Sequence, residues 1–188
     1  MNALILAAGY SARMGSFKPL LELGGVPVIR RVIDAMRAAG VSRIAVVTGH
    51  NRDALSPYLR DVTELYNGSY AEGMFSSVQT GIRYFSELGA DGVLLTPADY
   101  PLLQVSSTQL ELSVGDSIVI PCYTGEEGHP VSLPAWIFPH ILTYDGESGL
   151  RRLLAKYEGR IVRVPVETPG AVLDMDTPAD YERIRKML

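Results

Sequence analysis

Strand-like and helix-like segments alternate along almost the whole of this 188-residue chain, and that alternation constrains the fold more than any other feature. Leu4 to Ala8, Ile44 to Val47, Thr63 to Tyr66, Gly92 to Thr96, Ile118 to Ile120 and Ile161 to Val166 read as strands. Gly92 to Thr96 is nearly continuous in apolar residues, the pattern of a strand covered on both faces. Between these runs the apolar spacing changes. Val28, Ile29, Val32, Ile33 and Met36 recur at helical period until Gly40, Phe75, Val78, Ile82 and Phe85 mark a second helix, and Leu150, Leu153, Leu154 and Tyr157 a third. Weaker helical segments are expected at Asp53 to Leu59 and within Ser106 to Leu112. Near the end Thr177 can cap a helix, Pro178 fits its first turn and Asp180 completes a box-like spacing, with Tyr181, Ile184 and Leu188 expected to face inward. Strands joined through helices imply parallel pairing. The chain is therefore predicted to be an α/β protein, a three-layer, doubly wound and mostly parallel sheet in one domain over residues 1–188.

The first strand breaks at Gly9 into a loop, Gly9 to Lys18, that holds Tyr10, Ser11, Arg13, Gly15 and Lys18 and no acidic residue. Glycines let backbone approach a ligand, consecutive N–H groups can cradle an anion, and the two cations suit phosphate oxygens. Two commoner phosphate loops are excluded. Ser16 and Phe17 separate Gly15 from Lys18, unlike a Walker A loop, and Tyr10-Ser11 supplies no second glycine for a dinucleotide fingerprint. In an open parallel sheet, ligands sit beyond the carboxyl ends of the strands, which is where this loop lies. Asp99 falls at the same edge, three residues after a strand and between Pro97 and Pro101. It reads either as a turn residue bonding its own backbone or as a carboxylate that holds Mg²⁺ together with phosphates, and its placement opposite the loop favours the metal.

Charge and cysteine content narrow the class. A formal net charge of −4 and a pI near 5.4 speak against a general nucleic-acid or anionic-membrane surface, which would need a basic patch. The single Cys122 cannot form an intramolecular disulfide. No apolar run approaches the ~20 residues that span a bilayer, and no signal-peptide pattern opens the chain, so a cytoplasmic location is expected.

The loop, read as Leu6-Ala7-Ala8-Gly9, Ser11, Arg13-Met14-Gly15 and Lys18, resembles the signature LA[AG]G-x-S-x-R-M-G-x-x-K of the MobA-like nucleotidyltransferases, which share a Rossmann-like fold with nucleotide-diphospho-sugar transferases. Other segments are similar to the same family. Asp99-Tyr100-Pro101 matches its D-x-P metal motif, and Asn67 with Gly73-Met74, Ser77 and Gly81 matches its N…GM-x-x-S-x-x-x-G segment. Gly128-His129-Pro130 resembles the GHP of the molybdenum-cofactor cytidylyltransferase branch. Gly146 to Arg151 resembles G-D-x-G-x-R with Glu147 in place of Asp, and Asp174-Met175-Asp176-Thr177-Pro178 resembles D-x-D-T-P. One departure is the Thr96-Pro97-Ala98 lead-in to Asp99, where the cytidylyltransferases have a smaller one.

The resemblance implies transfer of a nucleotidyl group from an NTP to a phosphate-bearing acceptor, with release of pyrophosphate. Ala8, where guanylyltransferases of the family carry glycine, points to CTP, and the GHP segment points to molybdopterin as acceptor. The implied nucleotide-binding residues are Leu6, Ala7, Ala8, Gly9, Arg13, Gly15, Lys18, Asn67, Ser77 and Gly81, with Gly81 also suited to close packing. Arg13, Lys18 and Asp99 are the implied catalytic residues, Asp99 and Asp176 the Mg²⁺ ligands, and Gly128, His129 and Pro130 the acceptor side. Two alternatives stand beside this reading: a pyrophosphorylase acting on a sugar phosphate or phospho-alcohol, and a nucleotide-binding regulatory module without turnover. The domain is expected to work alone or joined to other domains.

Overall fold

The computed structural model describes residues 1–188. The chain begins with β1 (Asn2–Ala7), whose end opens into the anion loop, and continues through a small antiparallel hairpin of β2 (Glu22–Leu23) and β3 (Val26–Pro27) into α1 (Val28–Ala38). There follow β4 (Arg43–Thr48), the single turn α2 (Arg52–Leu55), β5 (Thr63–Tyr66), α3 (Met74–Glu87) and β6 (Gly92–Pro97). The second half runs α4 (Ser107–Leu112), β7 (Ile118–Tyr123), β8 (Glu126–Glu127), β9 (Val131–Pro134), α5 (Phe138–Thr143), α6 (Gly149–Ala155), β10 (Ile161–Pro165) and α7 (Pro178–Arg185).

The main sheet has the order β10-β7-β9-β6-β1-β4-β5, with β8 attached to β7. β1 is central and pairs in parallel with both β4 and β6. Because side chains alternate across a strand, Leu4 and Leu6 point to one face and Ala3, Ile5 and Ala7 to the other. The first face is covered by α3, α5 and α6 through Phe75, Val78, Ile82, Phe85, Phe138, Ile141, Leu153 and Leu154. On the second, α1 packs Ile29, Val32, Ile33 and Met36. These are the three layers expected. Gly81 sits where α3 crosses β1: a Cβ there would fall 2.2 Å from a Leu4 methyl, so the helix approaches the strand this closely only without a side chain.

The sheet is mostly parallel, as expected, with one strand that the sequence did not reveal: β9 lies antiparallel between β6 and β7, and a four-residue strand that carries Ser132 and ends at Pro134 gives too short an apolar run to read. Two expectations need correction. The helix expected over Asp53 to Leu59 is one α-turn and then a 3₁₀ turn at Ser56–Tyr58, because Pro57 has no N–H to continue the α-helical ladder. Leu188 is exposed rather than inward, since α7 ends at Arg185, although Ile184 is fully buried as expected.

Candidate active site

A small satellite core fixes the anion loop. Met14, from the middle of the loop, packs with Leu23, Val28, Met175 and Ile184, which ties the loop to the hairpin and to α7. The Lys18 amide donates to Ser11 Oγ at 3.1 Å and the Met14 amide to the Ser11 carbonyl at 3.1 Å, so the loop folds back on itself. Ser11 and Gly15 adopt positive φ, +54° and +69°.

Asp99 leaves the end of β6, the strand beside β1, and its carbonyl accepts from the Met175 amide at 2.9 Å. This contact brings the segment before α7 next to Asp99. It accounts for the position of Asp176, which is then held by the start of α7: the Thr177 hydroxyl caps that helix while Asp180 bonds back to the Thr177 amide.

The charged groups meet at one point. Lys18 Nζ donates to Asp99 Oδ2 at 2.9 Å and to Asp176 Oδ1 at 2.5 Å, while Arg13 pairs with Asp176 Oδ2 at 2.7 Å. The Lys18 side chain is only 11% exposed. Burial alone would lower its pKa, but the hydrogen bonds and charges of Asp176 and Asp99 outweigh it and hold the ammonium above its ordinary value. Nearby, burial raises the Asp174 carboxyl, with the charges of Asp176 and Asp99 adding to it; Lys18 bonds Asp176 and not Asp174. Asp99 and Asp176 thus converge on a single cation. They form a pair, since no three His, Cys, Asp or Glu side chains gather at a metal-like distance. A carboxylate pair completed by phosphate oxygens and water suits Mg²⁺, so the residues present fit that ion.

Leu6, Ala7, Gly9, Tyr10, Arg13, Lys18, Asp99 and Asp176 line one part of a cleft at this edge, with a volume of about 330 Å³. It adjoins a larger part of about 550 Å³ through the shared Leu6, Met74 and Pro97. The walls of the larger part are apolar, from Phe75, Val78, Leu95, Ile120, Val131 and Leu150, and Gly128 and His129 lie among them. Its rim is charged: Arg163 bridges Glu127 and Glu158, and the exposed Arg151 lies 3.8 Å from Glu127.

The Gly128–Pro130 segment is tightly held. A Cβ on Gly128 would meet the Ala171 carbonyl oxygen at 2.3 Å, the His129 amide donates to that same carbonyl, and Gln109 Nε2 donates to the Pro130 carbonyl at 2.5 Å. The His129–Pro130 peptide is cis. The His129 ring packs at a tilt against Tyr100, with centroids 4.7 Å apart and the planes 59° from parallel, and burial lowers its pKa to about 4, which keeps the imidazole neutral.

The sequence-derived nucleotide set divides. Leu6, Ala7, Gly9, Arg13 and Lys18 line the cleft, and Gly15 lies in the loop. Ala8 does not line it: its buried methyl faces Gly49 and Tyr70. Asn67, Ser77 and Gly81 also lie outside the cleft wall. Asn67 Nδ2 donates to Ser76 Oγ and Ser77 Oγ, both at 2.9 Å, and its Oδ1 accepts from the Ser69 amide, so Asn67 ties the turn after β5 to the start of α3. Gly81 is the packing glycine against Leu4.

Residues 3–161 match the MobA-like NTP transferase domain. The chain belongs to the MobA-like NTP transferase family. Its likeness to known proteins runs the full length. The purine catabolism protein PucB of Bacillus subtilis is 26% identical over 196 residues, covering 98% of this chain and 96% of that protein. The molybdenum cofactor cytidylyltransferase of Escherichia coli is 26% identical over 186 residues, 96% and 93% of the two chains. Among solved structures, a nucleotidyl transferase from Methanothermobacter thermautotroptrophicus is 26% identical and superposes with a TM-score of 0.79 over 99% of this chain and 96% of its own. The activity class is therefore that of an NTP-dependent nucleotidyltransferase.

Sequence reasoning placed Tyr10 in the anion loop and Arg151 in a family-like segment, but it did not bring Arg151 together with Arg163, Glu127 and Glu158 at the rim, nor Tyr10 together with His50 and Tyr70.

Proposed function

We propose that the protein transfers CMP from CTP to a phosphate-bearing acceptor of the molybdopterin kind and releases pyrophosphate. The observation that carries this reading is the junction of two unlike compartments: a charged one holding Arg13, Lys18, Asp99 and Asp176, and an apolar one holding His129. In the reaction an oxygen of the acceptor phosphate bonds to the α-phosphorus of CTP, the bond from that phosphorus to the α–β bridging oxygen breaks, and pyrophosphate carries away the electron pair. Such a transfer needs alignment and charge stabilisation more than covalent chemistry from the protein.

Arg13 and Lys18 bind the triphosphate and stabilise the charge that grows on the leaving group, and the loop backbone from Ala7 to Gly9 holds the nucleoside. Asp99 and Asp176 would hold Mg²⁺, which when bound neutralises phosphate charge. His129, neutral and packed on Tyr100, offers a ring face and a hydrogen-bonding nitrogen to the acceptor. A flat fused heterocycle suits apolar walls better than a sugar phosphate, whose hydroxyls each need a polar partner.

Pyrophosphate release measured across the four NTPs, each with molybdopterin, sugar phosphates and phospho-alcohols, tests the reading. CTP with molybdopterin is expected to be the active pair, with kcat/KM for CTP above that for GTP; the Ala8 methyl, which faces Gly49 and Tyr70, does not set that preference. Equal use of CTP and GTP removes the cytidylyl assignment, and turnover confined to sugar phosphates removes the acceptor.

A further inference from the structure

Three aromatic rings from three separate loops meet beside the start of the anion loop. Tyr10 follows Gly9, His50 lies in the turn after β4, and Tyr70 lies in the turn before α3. The Tyr10 ring centroid is 4.8 Å from that of His50 and 5.5 Å from that of Tyr70, and the last two are 6.2 Å apart.

The backbone is shaped to let them meet. The His50 amide donates to the Ala8 carbonyl at 3.1 Å, which ties the turn after β4 to the end of β1. A Cβ on Gly49 would lie 2.7 Å from Tyr70 Cβ and 2.9 Å from Ala8 Cβ, so the turn admits Tyr70 only because residue 49 has no side chain. Tyr10 nevertheless stays 52% exposed, lines the same part of the cleft as Arg13 and Lys18, and has no hydrogen bond to its phenol from within the protein. A ring buttressed by two others yet left open on the cleft side is built to be covered by something flat.

Topology says what that is. β4 and β6 flank β1 on opposite sides. Asp99, and with it Lys18 and Asp176, gathers at the β6 side, whereas His50 and Tyr70 lie on the β4 side. A nucleotide whose phosphates meet Arg13 and Lys18 can extend across the end of β1 and bring its base to the rings.

We infer that Tyr10, backed by His50 and Tyr70, is a stacking wall for the nucleobase. The inference rests on the nucleotidyl-transfer reading. Stacking uses the π-face that every base has, so the wall adds affinity for any nucleoside triphosphate and leaves the choice of cytosine to hydrogen-bonding groups elsewhere. Tyr10 is then a positioning residue for the nucleotide.

Calorimetric titration with CTP, GTP and inorganic tripolyphosphate, each with Mg²⁺, tests it on the wild-type protein, Tyr10→Ala and Tyr10→Phe. Tyr10→Ala is expected to weaken CTP and GTP alike by about 10-fold, within the range for one base–aromatic stack, and to leave tripolyphosphate binding unchanged. Tyr10→Phe should bind all three as the wild type does. Unchanged affinity of Tyr10→Ala for both nucleotides overturns the stacking wall, and so does an equal loss for tripolyphosphate, which would mark a role in shaping the phosphate loop. A wild-type protein that binds neither CTP nor GTP brings down the nucleotidyl-transfer reading, and the stacking wall with it.

Discussion

The Lys18 ammonium stands between two carboxylates, and on the proposed function it also meets the triphosphate. Charge on the bridging and leaving oxygens grows in the transition state, and only contacts stronger there than in the ground state raise turnover. Lys18→Ala and Arg13→Ala are therefore expected to lower kcat by ~10²-fold or more, by analogy with a lost oxyanion donor, while nucleotide affinity changes much less. Steady-state kinetics with saturating nucleotide decide this, and near-normal turnover in either variant removes its role. His129 invites a different measurement. Burial holds its pKa at about 4, against about 6.5 for an unfolded histidine. Between those values the unfolded chain binds the proton and the folded chain does not, so stability rises with pH across the window and is lost as pH falls from about 6.5 toward about 4. The loss from this one group is at most about 3 kcal/mol. Urea midpoints at pH 7 and pH 4.5 should show the wild type losing more than His129→Gln; equal losses would mean that the imidazole is not what the fold keeps neutral.

Helices and turns set these residues in place, and their energetics are separable from the chemistry. α7 begins with a capping box in which the Thr177 hydroxyl accepts from the Asp180 amide and the Asp180 carboxylate accepts from the Thr177 amide, directly after Asp176. Thr177→Ala should cost about 1 kcal/mol of stability. It should also lower turnover by loosening Asp176, whereas a purely structural cap would change the urea midpoint alone. Gly81→Ala sets two effects against each other. Alanine is about 1 kcal/mol better than glycine inside a helix, but a Cβ lying 2.2 Å from Leu4 forces α3 off β1, and overpacking of this kind costs about 1–3 kcal/mol. A lower denaturation midpoint is expected, and a rise would show that the helix has room to move. Elements of this kind also show what the sequence could and could not reveal. α1 and α3 were legible because Val32, Ile33 and Met36, or Val78, Ile82 and Phe85, repeat at the helical period. The end of β1 was legible because Gly9 breaks an apolar run. The antiparallel β9 was not, since Val131, Ser132, Leu133 and Pro134 gain strand character only by filling the gap between β6 and β7. Asp99 and Asp176 were readable as motifs, but their meeting at Lys18 depends on the Met175 amide reaching the Asp99 carbonyl across 76 positions of sequence. The ring cluster of Tyr10, His50 and Tyr70 has no local pattern at all.

Across the whole molecule the charges of the site come from three distant stretches: cations from the loop after β1, one carboxylate from the end of β6 and another from the segment before α7. They neutralise one another, so the groups that suit a phosphate are spent on the groups that suit a metal. On the proposed roles, a metal ion and a triphosphate each compete with these pairs for the same side chains. A nucleotide that draws Arg13 and Lys18 onto its phosphates frees Asp99 and Asp176, and a metal ion on the carboxylates frees the two cations. Binding of the two should therefore be mutually strengthening, by the reciprocity that any coupling free energy obeys. Mn²⁺ offers a direct probe, because the free ion is read by electron paramagnetic resonance without any turnover. The protein alone is expected to bind Mn²⁺ weakly, and a non-hydrolysable CTP analogue should tighten that binding by about 10-fold or more, a coupling of roughly 1–3 kcal/mol. Lys18→Met separates this from simple metal binding by the nucleotide. Without the ammonium, the two carboxylates have only Arg13 to share, so Mn²⁺ should bind that variant more tightly than it binds the wild type when no nucleotide is present. Asp99→Asn should lose the ion in both conditions. If Mn²⁺ binds the nucleotide-free wild type as tightly as it binds Lys18→Met, the lysine does not compete with the metal, and Asp99 and Asp176 hold the ion at a point that the ammonium never occupies.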